Sequence, residues 1–176
     1  MQSVIFSSGN DAFQVSKIIY AGPIAEIPPD RQKSGSTHSF KMITSSGAVY
    51  CHYKDIETAK KARGILTGMI ETVKPHVFKS GFQCIDVAKV VSFGKVFPLK
   101  NSQNGMTHGF VVSVETATDE NRKLWMTYSS EDHAEKARKA LYAQILSANG
   151  VTRSNGEQTP QPAPVPVAAT TDGMPF

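Results

Sequence analysis

The chain has 176 residues, enough for one domain of ordinary size or two small ones. An apolar share of 40% and an aromatic share of 9% suit a packed core, and no stretch approaches the ~20 apolar residues that cross a bilayer. Lys and Arg number 19 against 15 Asp and Glu; without Val151 onward the balance is 18 against 13, a mild basic bias compatible with a polyanionic partner.

In chain order, Met1 to Phe6 carries neither a basic leader nor a long apolar run, which argues against a signal peptide. Period-two alternation then marks strands near residues 3–6, 15–21, 39–44 and 48–54. The period switches to 3.6 over 56–73, where Ala59, Ala62, Leu66, Met69, Ile70 and Val73 form one stripe, with Asp55 placed as N-cap. Lys60, Lys61, Arg63 and Glu71 are expected to face water. The same succession returns as strands near 76–78, 87–93, 109–115 and 124–129 and a helix over 132–148, capped by Ser129 or Ser130.

The two series align residue by residue. Phe6, Gly9, Val15, Lys17 and Gly22 meet Phe78, Gly81, Val87, Lys89 and Gly94. Thr37-His38-x-Phe40 meets Thr107-His108-x-Phe110, and the Tyr53-to-Arg63 segment meets Tyr128 to Arg138. The offset changes only inside loop-like sequence, as expected of a repeat and not of chance matching. The expected fold class is α+β: a tandem ββββα unit, antiparallel sheets each with a helix on one face, related by a pseudo-twofold. The boundaries fall at 1–74, 75–148 and a disordered tail over 149–176.

Each sheet should keep one face free of its helix. In the last strand of each copy, Val49, Cys51 and Tyr53 match Leu124, Met126 and Tyr128 as the core set. The opposite face then presents Tyr50 in one copy and Trp125 in the other. Lys17, Lys41, Lys54, Lys89, Arg122 and Lys123 lie nearby in sequence. Aromatic rings interleaved with cations are what single-stranded nucleic acid needs, since bases stack at ~1–3 kcal/mol each while lysines follow the phosphates. The two rings would equally serve a contact between the copies or with another protein.

His38 and His108 recur, but beside Phe40 and Phe110 they read as strand-start residues and not as metal ligands. Lys61/Arg63 and Lys136/Arg138 read as a solvated helix face, or as contacts to phosphate or to the other copy. Cys51 and Cys84 have no ligand spacing and read as buried free thiols, as in a reducing cytosol. No phosphate loop or nucleophile–base pair appears, and the paired carboxylates Asp119-Glu120 and Glu131-Asp132 lie in loop or cap positions. The expectation is a non-enzymatic, cytoplasmic protein without metal or cofactor, not bound to a membrane and forming homo-oligomers.

From Ser147 the composition turns to Ser, Thr, Gln, Gly, Ala and spaced prolines, the mark of an extended linker. It closes on Asp172-Gly173-Met174-Pro175-Phe176. This resembles the C-terminal tip of bacterial single-stranded DNA-binding proteins, with Met174-Pro175-Phe176 standing where that family has Ile-Pro-Phe. The resemblance implies that Asp172, Met174, Pro175 and Phe176 dock replication or repair proteins. The body lacks that family's five-stranded barrel. It resembles in topology the ββββα folds of Whirly proteins, Pur-alpha repeats and positive-cofactor-four-like coactivators, which bind single-stranded nucleic acid on sheet surfaces. Together these imply a single-stranded DNA-binding protein of replication, recombination or repair, with RNA as the other candidate ligand. The alternative is a protein-interaction or transcription-regulating module that uses the same sheet surface.

Overall fold

The computed structural model describes residues 3–32, 34–100, 104–117 and 122–151. It is an α+β fold of antiparallel sheets and two helices. The first half runs β1 (Ile5–Ser8), β2 (Asp11–Gln14), β3 (Ile18–Glu26), β4 (His38–Thr44), β5 (Gly47–Tyr53) and α1 (Ile56–Val73). The second runs β6 (Val77–Ser80), β7 (Gln83–Asp86), β8 (Val90–Phe93), a two-residue β9 (Phe97–Pro98), β10 (His108–Val114), β11 (Lys123–Tyr128) and α2 (Glu131–Ala148).

The expectation of four strands per half omits one in the first half and, with the two-residue β9, two in the second. Where a single strand was expected at the start of each half, the chain makes a hairpin followed by a short 3-10 turn, Val15–Lys17 or Val87–Lys89. Both hairpins turn on two residues, Gly9-Asn10 and Gly81-Phe82. Their first turn positions need positive φ, which glycine adopts without strain: 61° at Gly9 and 55° at Gly81. The registers coincide at an offset of 72, with Phe6↔Phe13 answered by Phe78↔Ile85 and Ser8↔Asp11 by Ser80↔Gln83.

The later strands correspond as well. His38↔Tyr53 and Lys41↔Tyr50 between β4 and β5 are answered by His108↔Tyr128 and Val111↔Trp125 between β10 and β11. Thr37 and Thr107 explain why the Thr-His pair recurs. Thr37 Oγ1 donates to the Lys54 carbonyl (2.6 Å), so it must accept from His38 Nδ1–H (2.9 Å). Thr107 does the same with the Ser129 carbonyl (2.9 Å) and His108 (3.0 Å). The motif ties the start of one strand to the end of its neighbour. Among the described residues no cluster of His, Cys, Asp and Glu could hold a metal ion.

Each helix follows its sheet through a side-chain cap. Asp55 Oδ1 accepts from the Thr58 amide at 2.7 Å, and these hydrogen bonds hold its carboxyl below the usual range. Ser130 caps α2 through the His133 amide at 3.3 Å. The buried stripes are Ala59, Leu66 and Ile70 on α1, and Ala134 and Leu141 on α2.

The halves do not relate as the expected twofold. β7 leaves its own half and pairs with β3, giving a five-stranded sheet in the order β5-β4-β3-β7-β6. Its ladder is Tyr20↔Ile85 and Ala21↔Cys84. The corresponding hairpin β1–β2 is a separate two-stranded sheet, and β8 is the outer strand of the order β11-β10-β8. The exchange therefore runs one way.

This gives each core a contribution from the other half. Cys84 joins Phe40, Met42, Leu66 and Ile70 under α1. Ile19, Tyr20 and Ile43 join Phe78, Ile85, Phe110, Met126 and Leu141 under α2. The first sheet's second face is thus covered at that end, contrary to the expectation that it stays free; burying those side chains is worth ~1.5–3 kcal/mol apiece, more than an open face could offset. A buried ion pair fastens the same junction. Lys74 Nζ lies 2.6 Å from Asp86 Oδ2, with side chains 9% and 8% exposed, and also donates to the Ser16 carbonyl at 2.9 Å. Arg63, expected to face water, is half-buried; its Nε donates to the Gly22 carbonyl at 2.7 Å and its Nη2 to the Phe82 carbonyl.

Candidate nucleic-acid interface

Strand alternation decides which side chains reach the surface. On β5, Cys51 is buried while Tyr50 is 55% exposed; on β11, Leu124 and Met126 are buried while Trp125 is 58% exposed. An indole that open on an outer strand leaves most of its ring for a partner.

Trp125 is nonetheless held in place. Phe97 of β9 meets it edge-on, with centroids 5.7 Å apart and planes at 85°. Gln83 links it to the inter-half junction, accepting from the Tyr20 hydroxyl (3.2 Å) and donating to the Trp125 carbonyl (3.3 Å). Beside Trp125 opens a groove of about 1220 Å³, walled by Trp125 and Tyr128 of β11, Phe82 at the β6–β7 turn, Ile24 of β3 and His133 of α2. Phe82 is 71% exposed, the most open large apolar side chain of the described residues.

Tyr128 does more than line the groove. Its hydroxyl bonds Ser80 Oγ at 2.8 Å and its ring stacks on Phe110. Tyr53 repeats both contacts, with Ser8 (3.0 Å) and with Phe40. Burial pushes both phenols above their usual pKa, so they are neutral hydrogen-bonding pins and not acids.

The cations named from the sequence divide. Lys41 sits directly across from Tyr50, and Lys123 shares the Trp125 face of β11, two residues away, with Arg122 exposed beside it. Lys54 is exposed just beyond β5. Lys17 is exposed in the 3-10 turn before β3, and its carbonyl accepts from Ser45 at the β4–β5 turn. Lys89 in the matching turn is tied to Glu115 at 2.8 Å, which raises the lysine pKa and lowers the glutamate's. That ion pair leaves less of its charge for a phosphate. Tyr50 is not among the residues lining the groove. Asp172, Met174, Pro175 and Phe176 lie outside the described residues.

Sequence reasoning missed Phe82 and Phe97. A signal for Phe82 was present: a Gly-Phe pair between two short alternating runs reads as a hairpin turn, and a ring at the turn has nothing to pack under. Phe97 belongs to a strand of two residues, too short for any period to show.

Comparison with known protein families, with curated proteins and with solved structures gives no match to this chain. Among the described residues no helix is long and apolar enough to cross a membrane.

Proposed function

We propose that the chain is a duplicated unit that binds single-stranded nucleic acid, DNA in the first instance, without catalysing a reaction. The observation that carries this reading is the pair Trp125 and Phe82, open to solvent on the walls of one groove, with the Trp125 ring braced by Phe97. Bases stack on such rings whatever their sequence, and the edge-on contact with Phe97 orients Trp125 before the ligand arrives. Lys123 and Arg122 stand at the start of the same strand to meet the phosphates, while Lys41 and Tyr50 offer a second, separate contact. The tail ending in Phe176 recruits replication or repair proteins, as its resemblance to the single-strand binders' tip implies.

The chain has one tryptophan, so its fluorescence reports this groove alone. Titration with oligo-dT should quench Trp125, and affinity should fall steeply between low and high salt as counterions are released. Lys123→Glu should weaken binding and flatten the salt slope; Phe82→Ala should cost ~1–3 kcal/mol with the slope unchanged. Removing residues 149–176 should leave this binding intact. Absence of both quenching and anisotropy change would reject the reading and leave the groove to a protein partner.

A further inference from the structure

We infer that copies of this chain join head to tail, the β1–β2 hairpin of one adding to the β8 edge of the next. The template is inside the molecule. The β6–β7 hairpin already adds to β3, the counterpart of β8. Moving that ladder by the hairpin offset of 72 pairs Ser92 with Phe13 and Phe93 with Ala12. Against that template, both strands lack the corresponding partner among the described residues. β2 is paired to β1 alone, and β8 ends its sheet.

Burial separates the satisfied pair from the unsatisfied one. Ile85 and Cys84 on β7 are 0% and 1% exposed, while Ala12 on β2 is exposed and Phe13 half-buried. Across the junction Ile19 is 3% exposed, whereas its counterpart Val91 is 54% exposed. The hairpin register supplies the hydrogen-bonding groups too. In a two-residue hairpin closed by Ser8↔Asp11, the next residue, Ala12, points its N–H and C=O away from β1, as an added strand requires. Neither β2 nor β8 contains the proline or lysine that commonly guards a bare edge.

The receiving side is already half-built. Arg63 grips the internal hairpin by the Phe82 carbonyl and holds the Gly22 carbonyl. Its counterpart Arg138 holds the Gly94 carbonyl at 2.9 Å and lies over the Phe93 ring, facing where the Asn10 carbonyl of an incoming hairpin would arrive. Two differences make the contact between copies weaker than the internal one. The ion pair Lys74–Asp86 is replaced by Asn149 and Gln14, and the apolar Ile43 and Ala48 by Ser113 and Lys123. The assembly is therefore reversible. Because head and tail differ, it closes as a ring or extends as a filament, and is not built on one self-complementary patch.

The test uses two full-length variants at positions exposed in the single copy. Ala12→Glu spoils the hairpin edge, because the counterpart of Ala12 is buried beneath a helix; Ser92→Glu spoils the receiving edge. By sedimentation velocity in the absence of DNA, wild-type mass should climb past two copies as concentration rises. Each variant alone should remain a single copy with the thermal melt of the wild type. Mixed one to one they should form a two-copy species and stop there, since each retains the edge the other lacks. A wild type that stays single at every concentration, an Ala12→Glu chain that still assembles, or a mixture that does not pair would overturn the inference. Both variants keep Trp125, so quenching by oligo-dT answers the nucleic-acid question separately.

Discussion

The two hairpins that open each half share length, turn and register, yet β6–β7 joins a second sheet while β1–β2 pairs only within itself. The difference lies in what they meet. β6–β7 finds an edge lined by Ile19, Tyr20 and Ala21, all buried once it docks, together with a lysine placed to neutralise Asp86. Among the described residues β1–β2 pairs with no such edge of its own chain. Local sequence makes a hairpin; the complementarity of a distant strand decides whether it becomes part of a sheet.

Breaking the ion pair should expose the asymmetry most strongly. Lys74→Ala leaves the Asp86 carboxylate buried without its cation, and should destabilise by about 3–5 kcal/mol in a denaturant melt. The same change at the counterpart, Asn149→Ala, removes only an exposed hydrogen bond to the Ile145 carbonyl and should cost about 1 kcal/mol or less. Equal losses at the two positions would mean the halves are held independently.

A smaller effect separates the halves by pH. Burial pushes the Tyr20 phenol up to about 12 from 10.0, while its counterpart Ser92 does not titrate. The folded state therefore binds this proton more tightly than the unfolded chain. The stabilisation is present in full below pH 10 and is lost as pH rises from 10 towards 12, roughly 2–3 kcal/mol in all. Denaturant midpoints across that window, with Tyr20→Phe as control, read it directly. A wild type and a variant with the same alkaline slope would refute the assignment.

The smallest expected effect is where the halves agree. Tyr53→Phe and Tyr128→Phe each remove one hydroxyl bond to a hairpin serine, and each should cost about 0.5–1.5 kcal/mol. Similar values would show that each hairpin is pinned to its own half in the same way, whatever its outer edge does.

How much of this was legible in the sequence follows from the range of the forces involved. The helices, their caps and the inward and outward faces of β5 and β11 follow from periodicity, because each residue's face is set by its immediate neighbours. β2 and β7 escaped notice because each is only four residues long, a weak run of alternation, although the Gly-Phe turn beside β7 was readable. The pairing of β7 with β3 joins residues more than sixty positions apart and depends on which of two similar hairpins fits, which no local pattern records. Arg63 shows the same limit at the scale of one side chain. Its helix position reads as solvent-facing, but the side chain is long enough to reach carbonyls on β3 and at the β6–β7 turn. At the site, Trp125 and Tyr50 were readable as outward residues, whereas the groove beside Trp125 is assembled from four sequence-distant regions. Lys89 was readable as a cation but not as one tied to Glu115, which lies on a neighbouring segment 26 residues away.

The one-way strand exchange also has a consequence in time. During synthesis residues 1–74 leave the ribosome before β7 exists, so the β3 edge and the Ile19, Tyr20 and Ile43 side chains wait uncovered until the next hairpin emerges. The boundary near residue 74, expected from the sequence pattern, is therefore a poor place to cut: the first half made alone would lack β7, which pairs with β3.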